Sequence, residues 1–151
     1  MPPATRSILA TLNNLACTYQ NLGRHEEALR LLREVHTSRS RLLGPRHGDT
    51  LLAAGNLADE LVTIGLWAEA TQLLREQVPL ALEALGPDNV ETLKMRGRYA
   101  LVLGNEGKHT EAVAITEDVV RRCRRIFGND HPMTAKAQGA LAHARKLLSK
   151  S

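Results

Sequence analysis

The sequence predicts an all-α solenoid of about three and a half helix-turn-helix repeats, made of seven antiparallel helices. Three observations favour this class: residues recur at a spacing of 42, apolar positions inside each unit follow a helical period, and strong helix formers dominate the composition. Such a repeat is typical of solenoids, because each unit buries its apolar face only by stacking on its neighbours.

Five sets of residues carry the repeat, and each set has a physical role. Glycines end the helices, and small alanines let two helices approach closely, while the threonines mark the period. The sets are Gly23, Gly65 and Gly107; Gly44, Gly86 and Gly128; Ala16, Ala58, Ala100 and Ala142; Ala28, Ala70 and Ala112, each preceded by glutamate; and Thr50, Thr92 and Thr134, although the residue after the threonine varies.

The helices follow from this pattern in order. Leu12, Leu15, Ala16 and Tyr19 form the stripe of an amphipathic first helix. The second helices are expected at His25 to Leu43, Trp67 to Leu85 and His109 to Phe127, where Gly-Pro or Gly-Asn steps stop them. We expect a single domain over residues 1–151, with repeats at about 8–49, 50–91 and 92–133 and a terminal helix at 134–149.

Local signals refine the helix ends. Asp88 with Glu91 predicts a capping pair, and Pro132 suits the first turn of the last helix. Pro79 falls inside a second helix and predicts a kink there. His47 and His131 in the linkers are expected to cap or brace turns. The last helix either closes the solenoid or precedes further repeats, and the sequence leaves both open.

Motifs for chemistry are absent, so an enzyme is not expected. The sequence contains no His-Glu-x-x-His, no phosphate-binding loop and no Gly-x-Ser-x-Gly, and we predict no catalytic residue, metal or cofactor. No apolar run approaches the ~18 residues of a membrane span. Cys17 and Cys123 are too isolated to suggest a disulfide framework, which favours a reducing, cytoplasmic location. Cys17 is interpreted as a small apolar filler.

The net charge of +4 permits acidic partners without indicating nucleic acid. The densest basic cluster runs from Arg121 to Arg125, with no aromatic residue to stack on bases. Because Glu117 and Asp118 lie one turn earlier, the cluster is interpreted as a solvated convex face. Neither nucleic acid, membrane nor a small-molecule substrate is therefore expected as a partner.

The repeat resembles a known family. Thr11-Leu12-Asn13-Asn14-Leu15-Ala16, followed by Tyr19, Gly23-Arg24 and Glu26-Glu27-Ala28, is similar to a tetratricopeptide repeat. The 42-residue period and the linker from Leu43 to Leu51, which reads Leu-Gly-Pro-Arg-His-Gly-Asp-Thr-Leu, resemble the kinesin light chain type. Related linkers follow at Leu85 and Phe127. This resemblance implies a right-handed solenoid whose first helices line a concave groove for a peptide or a partner helix.

Carried over by alignment, the resemblance implies a groove with a polar N-terminal half and a basic C-terminal half. An acidic segment is therefore the partner we expect, and a motor or signalling complex is among the assemblies that the family allows. The groove positions are Asn13, Asn14, Cys17, Gln20, Asn21, Asn56, Asp59, Thr63, Lys94, Arg98, Asn105 and Lys136.

Two narrower functions also follow from the resemblance. Asn56, Lys94 and Arg98 match three of the five positions of a carboxylate clamp in co-chaperones, but Asn13 replaces its lysine and Cys17 its asparagine. The chain could otherwise be a regulatory or scaffolding segment of a larger protein, either a kinesin light chain cargo adaptor or a signalling ATPase, with the activity elsewhere. RNA binding by the helical repeat is a third hypothesis.

Overall fold

The computed structural model describes residues 1–151, and all of its regular structure is helical. This confirms the all-α prediction, and the three second helices begin and end at the predicted residues. In chain order the helices are α1 (Pro3–Asn21), α2 (His25–Leu43), α3 (Gly48–Thr63), α4 (Trp67–Leu85), α5 (Val90–Asn105), α6 (His109–Phe127) and α7 (Pro132–Ser149). None of them combines the length and apolar character needed to cross a bilayer.

Each first helix ends at a glycine for a local reason. Gly23 has φ 75°, which L side chains rarely adopt. In that conformation the Gly23 N–H donates to the Gln20 carbonyl and the Arg24 N–H to the Tyr19 carbonyl, at 3.0 and 2.8 Å. These two bonds satisfy carbonyls that the helix leaves free at its end. Gly65 and Gly107, with φ 79° and 83°, repeat this geometry.

The N-termini of the later first helices are capped by side chains. His47 and His131 accept from the N–H groups of Asp49 and Met133, both at 3.1 Å, which confirms their role in the turns. The predicted Asp88 cap is wrong: Asn89 accepts from the Glu91 N–H at 2.8 Å instead. The carboxylate of Asp88 is held by arginines of α6, so it does not turn towards the backbone.

The core consists of leucines interleaved with alanines. Ala16 and Ala58 are fully buried and Ala100 is 5% exposed, so the small side chains lie where helices approach most closely. Leu32 and Leu74 fill equivalent positions of α2 and α4 and are likewise buried. Ala142 on α7 is exposed, because no second helix packs over it within these residues.

Pro79 lies inside α4, which runs without interruption from Trp67 to Leu85. Pro79 is exposed, whereas Val78 just before it and Ala81 two positions after it are buried. The fold therefore tolerates the missing backbone donor on the solvent side. The kink itself stays a prediction.

Candidate functional site

The first helices form the inner side of the solenoid. α3 packs against α5 and α5 against α7. The second helices pack mainly against first helices, and α2 and α4 meet through the side-chain ion pair of Arg33 with Glu69 at 2.7 Å. The inner helices are therefore closer together than the outer ones, and the surface curves around them. The predicted groove residues belong to four of these inner helices, α1, α3, α5 and α7.

Side chains bridge the first two inner helices. The side-chain amide Nδ2 of Asn56 in α3 donates to the side-chain oxygen Oδ1 of Asn13 in α1 at 3.2 Å. Gln20 donates to Glu60 Oε2 at 2.6 Å, and His25 Nδ1 lies 2.6 Å from the other oxygen. Glu60 is 1% exposed, so its carboxylate depends on these two partners. Gln20 and Asn13 therefore brace the groove, in addition to bordering it.

The remaining α1 residues of the predicted set are exposed and free of side-chain partners: Asn14, Cys17 and Asn21. The interpretation of Cys17 as a buried filler is therefore wrong. Its angular position on α1 differs from that of the buried Ala16 by one residue, about 100°, which turns it out of the core. The buried cysteine is Cys123, and burial raises the pKa of its thiol.

An ion pair crosses the middle of the groove. Arg98 Nε of α5 donates to Asp59 Oδ1 of α3 at 2.6 Å, while the Thr63 hydroxyl donates to the Asp59 carbonyl at 2.8 Å. Lys94 lies 3.8 Å from Glu91, whereas Lys136 on α7 has no acidic partner. Two of the three predicted groove cations are thus paired, Lys94 with Glu91 one turn earlier in α5 and Arg98 with Asp59 of α3.

Two of the three clamp-like residues are already engaged, Asn56 by Asn13 and Arg98 by Asp59. A ligand carboxylate would have to displace both partners to form a five-residue clamp. The arrangement of these side chains therefore does not favour a carboxylate clamp.

A cleft lies between α5 and α7, and it is lined mostly by apolar side chains. Its first part is a cavity of about 380 Å³ that contains four of the predicted residues at its rim, Asp59, Lys94, Arg98 and Lys136. The apolar lining beside them was not predicted from the sequence, and its larger members are Val62, Leu93, Leu101, Val119 and Met133.

The second part of the cleft is a cavity of about 420 Å³ towards the C-terminal ends of α5 and α7. Asn105, another predicted residue, lines it together with Trp67, His109 and His143. The two cavities share Gly97, Leu101, Thr116 and Ala140 as lining residues, so they form one continuous surface.

The repeat explains why the cleft is found here. Leu32 and Leu74 occupy one column of the second helices, and Thr116 takes the same place in α6. The Thr116 hydroxyl donates to the Ala112 carbonyl at 2.6 Å, so the side chain turns back on its own helix. Gly97 in α5 and Ala140 in α7 add no bulk on the other two sides. This exchange of leucine for threonine is the sequence signal that could have revealed the cleft.

The basic cluster of α6 is neutralised by acidic residues. Asp88 accepts from Arg122 and Arg125 at 2.9 and 2.6 Å, and Asp118 accepts from Arg96, Arg121 and Arg122. Partial burial raises the pKa of the Asp118 carboxyl, but the hydrogen bonds from these arginines outweigh it and hold that pKa well below its usual range. The cluster is accordingly a paired surface, and it offers few free cations to a polyanion.

No group of three or more histidine, cysteine, aspartate or glutamate side chains is arranged to hold a metal ion. His25 pairs with Glu60, and His47 and His131 cap helices. The site therefore consists of a polar N-terminal groove and an apolar cleft with cations at its rim.

A family model for the tetratricopeptide repeat matches residues 8–49 and 92–132, more than half of the chain. Curated protein sequences gave no match. A crystal structure described as a Podosopora anserina putative kinesin light chain with nearly identical TPR-like repeats superposes with a TM-score of 0.86 at 27% identity, covering 95% of this chain and 68% of that one.

A further solved structure is BtubC (BKLC) from P. vanneervenii, with a TM-score of 0.80 over 93% of this chain and 56% of that one. At 11% identity it supports the fold alone. The matching repeats, their 42-residue period and the seven-helix solenoid agree with one another. The chain belongs to the tetratricopeptide repeat family and is of the kinesin light chain type.

Proposed function

We propose that the chain is a protein-interaction scaffold, without catalytic activity, that holds a partner segment in its inner groove. Its preferred segment is acidic and carries one large apolar side chain. The observation that carries this proposal is the cleft between α5 and α7, where an apolar lining is bordered by the amino groups of Lys94 and Lys136. In this proposal residues 1–151 act as one domain.

The apolar lining supports the side-chain part of the proposal. Leu101 is 45% exposed at the cleft, although leucine gains about 1.5–3 kcal/mol from full burial. A cavity of about 380 Å³ lies at the small end of the range that accommodates ligands in proteins. A leucine-sized or aromatic side chain entering it would cover Leu101 and Met133 and displace water from both.

The two lysines that border the cleft support the preference for an acidic segment. Lys136 is exposed without an acidic partner, and the 3.8 Å contact between Lys94 and Glu91 is long enough to be exchanged readily. Carboxylates of the bound segment would pair with these two amino groups. Towards the N-terminal half, Asn14 and Asn21 are exposed and could bond the backbone of an extended segment, which adds affinity without sequence demands.

The similarity to a putative kinesin light chain supports a context for this scaffold. We propose a regulatory or cargo-adaptor segment of a larger assembly, with any enzymatic activity in other domains or chains. The two free cysteines, one of them exposed, suit a reducing compartment, and we place the assembly in the cytoplasm.

Charge reversal of the two rim lysines tests the electrostatic part. A Lys94→Glu/Lys136→Glu variant should bind a fluorescein-labelled peptide of four glutamates around one leucine at least about tenfold more weakly, since a charge-assisted hydrogen bond contributes roughly 1.5–3 kcal/mol. Fluorescence anisotropy gives the dissociation constants, and the same peptide with glutamines in place of glutamates should bind both proteins weakly.

The matched control is Arg30→Glu/Arg75→Glu, which makes the same change in net charge on exposed positions of α2 and α4. At a salt concentration that screens long-range charge effects, its dissociation constant for the acidic peptide should lie within about twofold of that of the unmodified chain. Equal weakening in both variants, or none in the lysine variant, would contradict the placement of the site.

Filling the cleft tests the apolar part. Thr116→Leu restores the leucine that α2 and α4 carry at this column, and its side chain should occupy the space shared by the two cavities. We expect binding of the leucine-centred peptide to fall at least about fivefold, with little effect on a peptide that has serine in place of leucine. Unchanged affinity for both peptides would show that the cleft is not used.

A further inference from the structure

The face of α1 that points away from α2 carries an uncovered apolar stripe. Its six residues follow one another at spacings of four and three, the pattern of a coiled-coil seam, and all six are exposed. The three large ones are 59%, 40% and 66% exposed at Ile8, Leu15 and Leu22. The complete stripe is Ala4, Ile8, Thr11, Leu15, Thr18 and Leu22.

The same face is covered in the later repeats. Thr50, Ala53 and Leu57 of α3 stand 42 residues after Ile8, Thr11 and Leu15, and they are only 1%, 1% and 6% exposed. In α5 the corresponding Thr92 and Met95 are 0% and 1% exposed. The covering helices are α2 and α4, which pack against α3 and α5 from the preceding repeat. A helix is therefore the element that fits this face.

The stripe differs from its counterparts in a way that disfavours another repeat helix. The later repeats all have threonine at its second position, and the Thr92 hydroxyl donates to the Ala81 carbonyl of the preceding second helix at 3.4 Å. Ile8 has no hydroxyl and is larger, so a second helix could not approach as closely in the same register. The face requires a partner with space opposite Ile8.

We infer that this partner is the α1 of a second copy, packed antiparallel about a two-fold axis near Asn13. About that axis, Ile8 of one copy faces Thr18 of the other. In the same way Thr11 faces Leu15, and Ala4 faces Leu22. Each large aliphatic side chain then faces alanine or threonine, so the stripe is complementary to itself, as a two-fold interface requires. Ile8 gains its space opposite Thr18.

The stripe itself carries no charge. Arg6 is the only charged residue between Pro3 and Asn21. At about 100° per residue it lies on the side of α1 opposite the stripe, so it stays out of the seam. Pairing two stripes therefore buries no charged side chain.

The interface is small, which sets the expected strength. A 19-residue helix is about 28 Å long, and a single helix pair of that length buries less than the roughly 1,200–2,000 Å² of a standard interface. We expect a reversible dimer with a dissociation constant of about 10–500 µM. The cleft between α5 and α7 lies outside this seam and remains open in the dimer, whereas Asn14 and Asn21 border the stripe at its edge.

Sedimentation velocity on the full chain between about 5 and 500 µM tests the dimer. The unmodified chain should shift from monomer to dimer, and Leu15→Glu should remain monomeric at every concentration with an unchanged helical circular dichroism spectrum. Leu66→Glu is the matched control, because Leu66 is 42% exposed and lies outside the stripe. The other repeats carry the charged residues Arg24 and Lys108 at this position, so the Leu66→Glu chain should fold and dimerise normally.

Disulfide trapping tests the orientation, in a Cys17→Ser background to remove the exposed native thiol. A Thr11→Cys chain mixed with a Leu15→Cys chain should cross-link several-fold faster than Thr11→Cys with itself. A chain that stays monomeric at about 500 µM, a dimer insensitive to Leu15→Glu, or faster cross-linking of Thr11→Cys with itself would each overturn the inference.

Discussion

A Gln20→Ala/His25→Ala variant is expected to lower the free energy of unfolding by about 2–4 kcal/mol at neutral pH. Both hydrogen-bond partners of the Glu60 carboxylate, which is 1% exposed in the native chain, disappear in this variant. A buried charge without partners is among the largest destabilising changes that a fold can undergo. Urea denaturation followed by circular dichroism measures the loss.

A rescue variant separates the charge from the lost side-chain volume. Val102 occupies the Glu60 column in α5 and is fully buried, so the fold accepts valine at this place. Adding Glu60→Val to the double variant should recover about half or more of the lost stability, because the unpaired carboxylate is then gone. If the double variant instead unfolds within about 0.5 kcal/mol of the native chain, Glu60 is not held by these two partners.

Pro79→Ala is expected to raise the free energy of unfolding by about 1–3 kcal/mol. Proline inside a helix is about 3 kcal/mol less favourable than alanine, because it lacks a backbone donor and its ring crowds the preceding turn. Pro79 is exposed, so alanine there leaves no cavity. For a chain of this size a gain of 1 kcal/mol corresponds to roughly 2–4 °C in Tm, which differential scanning calorimetry resolves easily.

Thr37 provides the matched control for this prediction, since it is the exposed residue of α2 that stands 42 positions before Pro79. Thr37→Pro should destabilise the chain by about 3 kcal/mol or more, in the opposite direction to Pro79→Ala. If Pro79→Ala leaves Tm unchanged while Thr37→Pro lowers it, then α4 has adapted to its proline and the kink has become part of its packing.

The helices could be predicted from the sequence because their ends depend on nearby residues. Gly23 ends α1 through bonds to the carbonyls three and four residues before it, and His131 caps α7 through a residue two positions later. The period of 42 then repeats the same local solution. The glycine stops, the histidine caps and the place of Pro132 rested on such short-range interactions, and they agree with the structure.

The predictions that failed concern side chains paired across repeats. Asp88 was expected to cap a helix, but Arg122 and Arg125 from α6 bind it. Arg98 was expected to add positive charge to the groove, yet Asp59, 39 residues earlier, neutralises it. Composition cannot indicate such pairs, because residues far apart in the chain become neighbours only after the repeats have stacked.

Thus the sequence by itself determined the all-α repeat and the seven helices, since helical periodicity and turn chemistry are local. Only the tertiary structure decided where the cleft lies and which charges are free. The cleft at Thr116 requires three helices to be brought together, and the pairing of Arg98 with Asp59, like the lack of an acidic partner at Lys136, depends on how neighbouring first helices approach one another.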